Sequence, residues 1–147
     1  MNKEELQYDL LKTELELTQR QVDKYDEMST KVKTWAITLW AASVGWSFQV
    51  NRGEVLLLSI LILTVFWFFD ALNKTFRMDY KKRRDEVAEA LEFVFRTGTT
   101  PQNFSAPRLP LHSLGETVKN IIVPHVALPY LLLALVSYLL YIRLWYN

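Results

Sequence analysis

Three stretches of this chain are long, apolar and nearly free of charge, and they constrain its fold more than anything else in it. They are Thr34–Val50 (TWAITLWAASVGWSFQV), Val55–Asn73 (VLLLSILILTVFWFFDALN) and Ile121–Ile142 (IIVPHVALPYLLLALVSYLLYI). A helix rising 1.5 Å per residue needs about 20 apolar residues to cross about 30 Å of hydrocarbon. The second and third stretches have that length. The first is shorter and richer in Ala, Ser and Thr, but it lies four residues from the second, and a membrane hairpin needs both arms. The reading is therefore an all-α membrane protein with three transmembrane helices. The segments are a cytoplasmic amphipathic helix over 1–33, a transmembrane hairpin over 34–73, a cytoplasmic helix and Pro-containing loop over 74–120, and a third span over 121–147.

The basic residues orient it. With the N-terminus inside, the cytoplasmic segments hold Lys3, Lys12, Arg20, Lys24, Lys31 and Lys33, then Lys74, Arg77, Lys81, Lys82, Arg83, Arg84, Arg96, Arg108 and Lys119. Outside remain only Arg52 and Arg143. The positive-inside rule thus expects a multi-pass protein of the inner membrane, N-terminus cytoplasmic and C-terminus outside. Trp35, Trp46, Trp67 and Trp145 fall near span ends, where amphipathic rings favour the interface. Acidic residues begin at Glu4 and no apolar core precedes residue 34, so the N-terminus does not read as a secretory signal.

The polar segments read as helices. Tyr8, Leu11, Leu15, Thr18, Val22, Tyr25, Ser29 and Val32 follow heptad spacing in a stretch without Gly or Pro. After the second span no breaker occurs before Gly98, and Phe76, Tyr80, Val87, Leu91 and Val94 form an apolar side. A hairpin brings both helices out of the membrane together, so the two stripes are expected to pack antiparallel. Pro101, Pro107 and Pro110 mark a loop. Ser113 and Glu116 match a capping box opening a helix that runs into the third span, where Pro124 and Pro129 can kink it.

Function is less constrained. Net charge is +1, which disfavours nucleic acid as a partner. Cys is absent, excluding disulfides, thiolate metal sites and a Cys nucleophile. His112 and His125 fit no metal-ligand spacing, and no Gly-rich phosphate loop or nucleophile elbow is present. The expectation is no enzyme, no cofactor and no metal. Prokaryotic diacylglycerol kinases share the three-span plan, but their characteristic catalytic stretch has no counterpart here.

The polar residues within the spans are the candidates for function. Asp70 is the clear acidic group inside a span, and such groups are costly and mark functional sites. It can pair with Lys74 one turn on, or face a pore or another protomer. Thr38, Ser43 and Ser47 make the first span polar, and Ala41 and Gly45 have the small-xxx-small spacing of close helix contacts. That span either packs within the bundle or lines an oligomer axis. His125 is a candidate for an ion path or pH response, against simple packing at the interface. Lys81, Lys82, Arg83 and Arg84 form a juxtamembrane basic run suited to acidic headgroups.

The succession of a charged helix, KTWAITLWAASVGWSF, a short turn, and FWFFDALNKTFRMDYKKRRDE resembles the small multi-helix membrane effectors of bacterial anti-phage defence systems. The resemblance is one of layout and covers residues 1–95. It implies a homo-oligomer in the bacterial inner membrane that forms or gates a pore and compromises the membrane when triggered. It also implies a trigger from elsewhere, either a partner such as a soluble sensor or enzyme or a separately encoded signal, since the chain has no recognisable sensor domain of its own. The competing expectation is a non-conducting anchor or scaffold subunit whose cytoplasmic helices dock a partner protein.

Overall fold

A computed structural model describes residues 3–99, 101, 104 and 114–146. It comprises four helices: α1 (Lys3–Val50), α2 (Glu54–Thr97), α3 (Leu114–Ile121) and α4 (Pro124–Tyr146). No strand occurs among the described residues. His112 and the capping box at Ser113 lie outside them.

α1 and α2 are each one unbroken rod, about 72 Å and 66 Å long by helical rise. α1 runs through both the polar N-terminal segment and the apolar stretch after Lys33 because no Gly or Pro precedes Gly45. Asn51 stops it, adopting the left-handed region at φ 53°, where Asn is tolerated better than most residues. The Arg52 N–H then donates to the Ser47 carbonyl at 3.1 Å, closing a Schellman turn. Gly53 follows, and a Cβ there would meet the Tyr141 ring at 3.1 Å, so α4 ends against the hairpin tip. α2 ends on Gly98, at φ 71°, whose N–H caps the Val94 carbonyl at 2.8 Å.

The heptad stripe is the seam between α1 and α2. Leu11, Thr18 and Val22 are buried, and Leu11 packs with Val87 and Ala90 among Leu15, Leu91 and Val94. Tyr25 stacks on Phe76 and Tyr80, with centroids 5.5 Å and 5.8 Å apart. The same periodicity continues past Lys33 through Ala36, Trp40 and Ser47. There α4 joins, and Ala36, Leu63 and Tyr130 form a second core among Trp40, Phe66, Trp67, Leu133 and Ala134.

Burial, and then the neighbouring Tyr80, push the Tyr25 hydroxyl above its ordinary value of 10.0. The folded chain therefore holds that proton where the unfolded chain loses it. The resulting stability is complete below pH 10 and is lost as pH rises through the folded value. Tyr25→Phe is expected to make the fall in melting temperature above about pH 10 shallower.

α2 and α4 (Pro124–Leu144) are long and apolar enough to cross a membrane. Only 28% and 22% of their apolar windows are buried, unlike the core helix of a soluble protein. α1 does not reach that standard, which corrects the expectation of three such helices. Thr34, Thr38, Ser43, Ser47 and Gln49 dilute its apolar half, and Lys33 and Asn51 limit it to 17 residues. The helix expected to run from residue 113 into the third span is also broken. α3 stops at Ile121 and α4 starts afresh at Pro124, where a proline costs nothing because a first-turn N–H has no partner to lose. Pro129, one turn later, leaves the helix continuous.

Candidate functional site

The three apolar segments begin at one level. Lys33 of α1 lies 3.4 Å from Asp70 of α2, and Lys74 of α2 lies 2.7 Å from His125 of α4. Lys33 and His125 stand at the edges of the apolar stretches of α1 and α4, and Asp70 and Lys74 lie one turn apart where that of α2 ends. Contact of Gly53 with Tyr141 marks the opposite level. Between them lies a layer about 25–30 Å thick by helical rise, the depth of a bilayer's hydrocarbon.

At the first level polar side chains converge. Asp70 is 1% exposed. Its Oδ1 accepts from the Ser29 hydroxyl at 2.5 Å, while Oδ2 has no hydrogen-bond donor and faces the Lys33 ammonium. The pairing available within α2, Asp70 with Lys74, gives way to these contacts across the helix interface. Arg77 is held by Asp26 at 2.5 Å. Lys74 contacts His125 Nε2 instead of a carboxylate. Burial, and then the cations Arg77 and Lys33, hold the Lys74 ammonium below the usual lysine range, with Asp70 opposing. The Trp67 indole donates to the Ile121 carbonyl at 3.0 Å, and Asn120 donates to the Thr75 hydroxyl at 3.0 Å. These two bonds fix the α3–α4 break to α2.

Deeper in the layer, Ser59 and Ser137 are fully buried and 3.1 Å apart, and the Trp40 indole donates to Ser137 at 2.8 Å. The bond satisfies the indole N–H of Trp40 midway between the two polar levels.

The candidates for a polar path do not share one surface. Asp70 and Ser47 point into the bundle, whereas Thr38 and His125 are exposed. The hydroxyls are engaged within α1. Thr38 donates to Thr34 O at 2.9 Å, Ser43 to Leu39 O at 2.8 Å and Ser47 to Val44 O at 2.7 Å. The basic run also divides. Arg83 is turned inward against Glu14 and Glu86, and Arg84 pairs with Asp85 and Gln19. Lys81 and Lys82 face a groove of about 610 Å³ between α2 and α3, together with Lys119 and the acids Asp79, Asp85, Glu86, Glu89 and Glu116. Acids outnumber bases there, which weighs against an anionic ligand at that place. Among the described residues no cluster could hold a metal ion.

Sequence reasoning missed Ser29, Lys33, Glu14 and the Ser59–Ser137 pair as partners. Ser29 carried a signal: it is one of two small hydroxyl residues, with Thr18, in a largely apolar stripe.

The outer face of α1 differs from those of its neighbours. Thr34, Thr38, Ala41, Ala42, Gly45 and Gln49 lie within about 100° of helical arc, opposite the buried Ala36 and Ser47, and all are exposed. A Cβ on Gly45 would meet nothing within 4 Å. α2 and α4 turn Leu57, Leu61 and Phe69, and Leu131, Leu135 and Leu139, outward, and on α1 exposed Trp35, Ile37, Trp46 and Phe48 border the small strip on either side. No protein-family model, no curated protein and no solved structure matches this chain.

Proposed function

We propose that the chain spans the bacterial inner membrane three times, N-terminus inside, and that copies of it associate through the outer face of α1 into an assembly that forms or gates a pore. The coincident polar levels on α1, α2 and α4 support counting α1 as a span: packing against α2 and α4 compensates for its modest hydropathy. The fifteen basic residues of the cytoplasmic segments against two outside support the orientation. The observation that carries self-association is the small, hydroxyl-bearing face from Thr34 to Gln49. Lipid gives such a face no advantage, whereas a second helix packs closely on it. The opposite side of α1 already holds α2 and α4, so the partner comes from another chain. A lone three-helix bundle has no room for an aqueous path, so conduction requires that assembly. The resemblance to anti-phage effectors gives it a role: compromising the membrane on a trigger received by the cytoplasmic helices.

Gly45→Leu tests this without disturbing the protomer, since nothing lies near the new side chain. The wild type is expected to purify in detergent as a multimer and to release ions from liposomes under some activating condition. The variant is expected to be monomeric, with leakage reduced at least tenfold. A variant of unchanged mass and leakage refutes the role of this face. A wild type that is monomeric and tight under all conditions refutes the pore.

A second reading, a non-conducting subunit that docks a soluble partner, is favoured by one observation. Leu6, Leu10 and Leu17 lie exposed along one side of the N-terminal end of α1, and Phe95, beside Tyr8 at the same end of the pair, is 84% exposed. If exchanging the three spans for an unrelated anchor preserves activity, this reading replaces the first.

A further inference from the structure

The level where the three helices enter the apolar layer carries more positive charge than its own carboxylates neutralise. The cations are Lys33, Lys74 and Arg77, with His125 beside them; the carboxylates are Asp26 and Asp70. Both acids are committed, Asp26 to Arg77 and Asp70 to Ser29 and Lys33. Lys74 is the cation left over, and its near neighbour is another nitrogen base at 2.7 Å. An ammonium has three donors and no acceptor, so the imidazole Nε2 accepts one hydrogen bond from Lys74 and two N–H groups of the ammonium remain to donate elsewhere. With Nε2 accepting, the other ring nitrogen of His125 is a further donor. His125 is exposed and Lys74 half-buried, so both are reachable from outside. α4 begins at Pro124, which brings the positive end of its dipole to the same place.

Resting on the membrane reading above, we infer that Lys74 and His125, with Lys33 alongside, form a binding site for a phosphate group at the cytoplasmic membrane surface, that of an anionic phospholipid headgroup. One phosphodiester charge matches the one uncompensated cation. The height is right as well, because the site sits where each helix leaves its apolar stretch and headgroup phosphates lie directly outside the hydrocarbon. The Lys81–Arg84 run, the more obvious candidate in the sequence, has its arginines engaged in ion pairs and its lysines facing a net acidic groove.

The test uses the full-length protein, delipidated in neutral detergent, and counts bound lipid by native mass spectrometry. Phosphatidylglycerol is expected to be retained in preference to phosphatidylcholine, and Lys74→Gln/His125→Gln is expected to weaken that retention at least tenfold. Lys74→Arg, which keeps the charge, should retain it. Lys81→Gln/Lys82→Gln should leave it unchanged. Inorganic phosphate at matched concentration is expected not to displace the lipid; displacement would assign the site to a free phosphate ion instead. Equal retention by the wild type and the Lys74→Gln/His125→Gln variant, or no preference for the anionic lipid, overturns the proposal. Flotation with pure phosphatidylcholine vesicles distinguishes failure of the membrane reading from failure of this site. A chain that does not float refutes the membrane reading itself, whereas one that floats without lipid preference refutes only this site.

Discussion

Arg83→Met is expected to be the most destabilising single change in the polar half of the α1–α2 pair, at about 3–5 kcal/mol. The Arg83 side chain is 9% exposed and that of Glu14 is 11% exposed. Arg83 Nε and Nη2 both reach Glu14 Oε1, at 2.8 Å and 2.7 Å, and Nη1 reaches Glu86 at 3.1 Å. Its guanidinium carbon lies 4.9 Å from the centroid of Phe104, so the cation is also covered by a ring face. Methionine removes every one of these contacts and strands a buried carboxylate whose Oε2 already lacks a donor. Taking a charge out of water is costly, and it is tolerated here because the opposite charge is in contact. The double variant Glu14→Leu/Arg83→Met removes both charges and is expected to recover most of the loss, to within about 1 kcal/mol of the wild type. Thermal unfolding followed by circular dichroism measures all three differences. Additive costs for Arg83→Met and Glu14→Leu would show that the pair is not coupled and that α1 and α2 are not in this register.

In the apolar half, Leu63→Ala is expected to cost about 2 kcal/mol. Leu63 is 1% exposed and lies where α1, α2 and α4 meet, against Ala36 and Tyr130. In water such a deletion loses both the transfer free energy of the removed carbons and the contacts around the cavity. On the membrane reading proposed above, the surrounding medium is hydrocarbon, so the transfer part largely vanishes and the cavity part remains, which places the cost at the low end of the usual range. Leu61→Ala is the control. Leu61 is 60% exposed on the outward side, and its loss is expected to stay within about 0.5 kcal/mol. Trp40 and Trp67 pack against the same core, so their emission should shift in the first variant and not in the second. Equal effects from the two variants would rotate α2 relative to its neighbours.

The helical elements and their pairing were legible because periodicity reports burial directly. The stripe from Leu11 to Val32 faces α2, and Val87, Leu91 and Val94 answer it. The break before Pro124 was harder to read, because a proline near a helix start can equally begin a helix or bend one, and the choice depends on what caps the preceding carbonyl. Here Trp67 does so from another helix. Side-chain partners were the least legible. Nothing local distinguishes Arg83, which turns inward, from Lys82, which does not. The difference is a helical rotation of about 100°, and it acquires meaning only with Glu14 opposite. Asp70 stood out as a costly residue, yet its real partners are 41 and 37 positions away in sequence, on a helix whose phase had first to be fixed.

α1 carries its polar arm and its apolar half on a single shaft, and α2 does the same in reverse. Among the described residues neither shaft has a joint between its two halves. On the membrane reading proposed above, a push delivered at Leu11 or Val87 meets no hinge at the lipid surface and reaches the embedded half as a movement of both shafts.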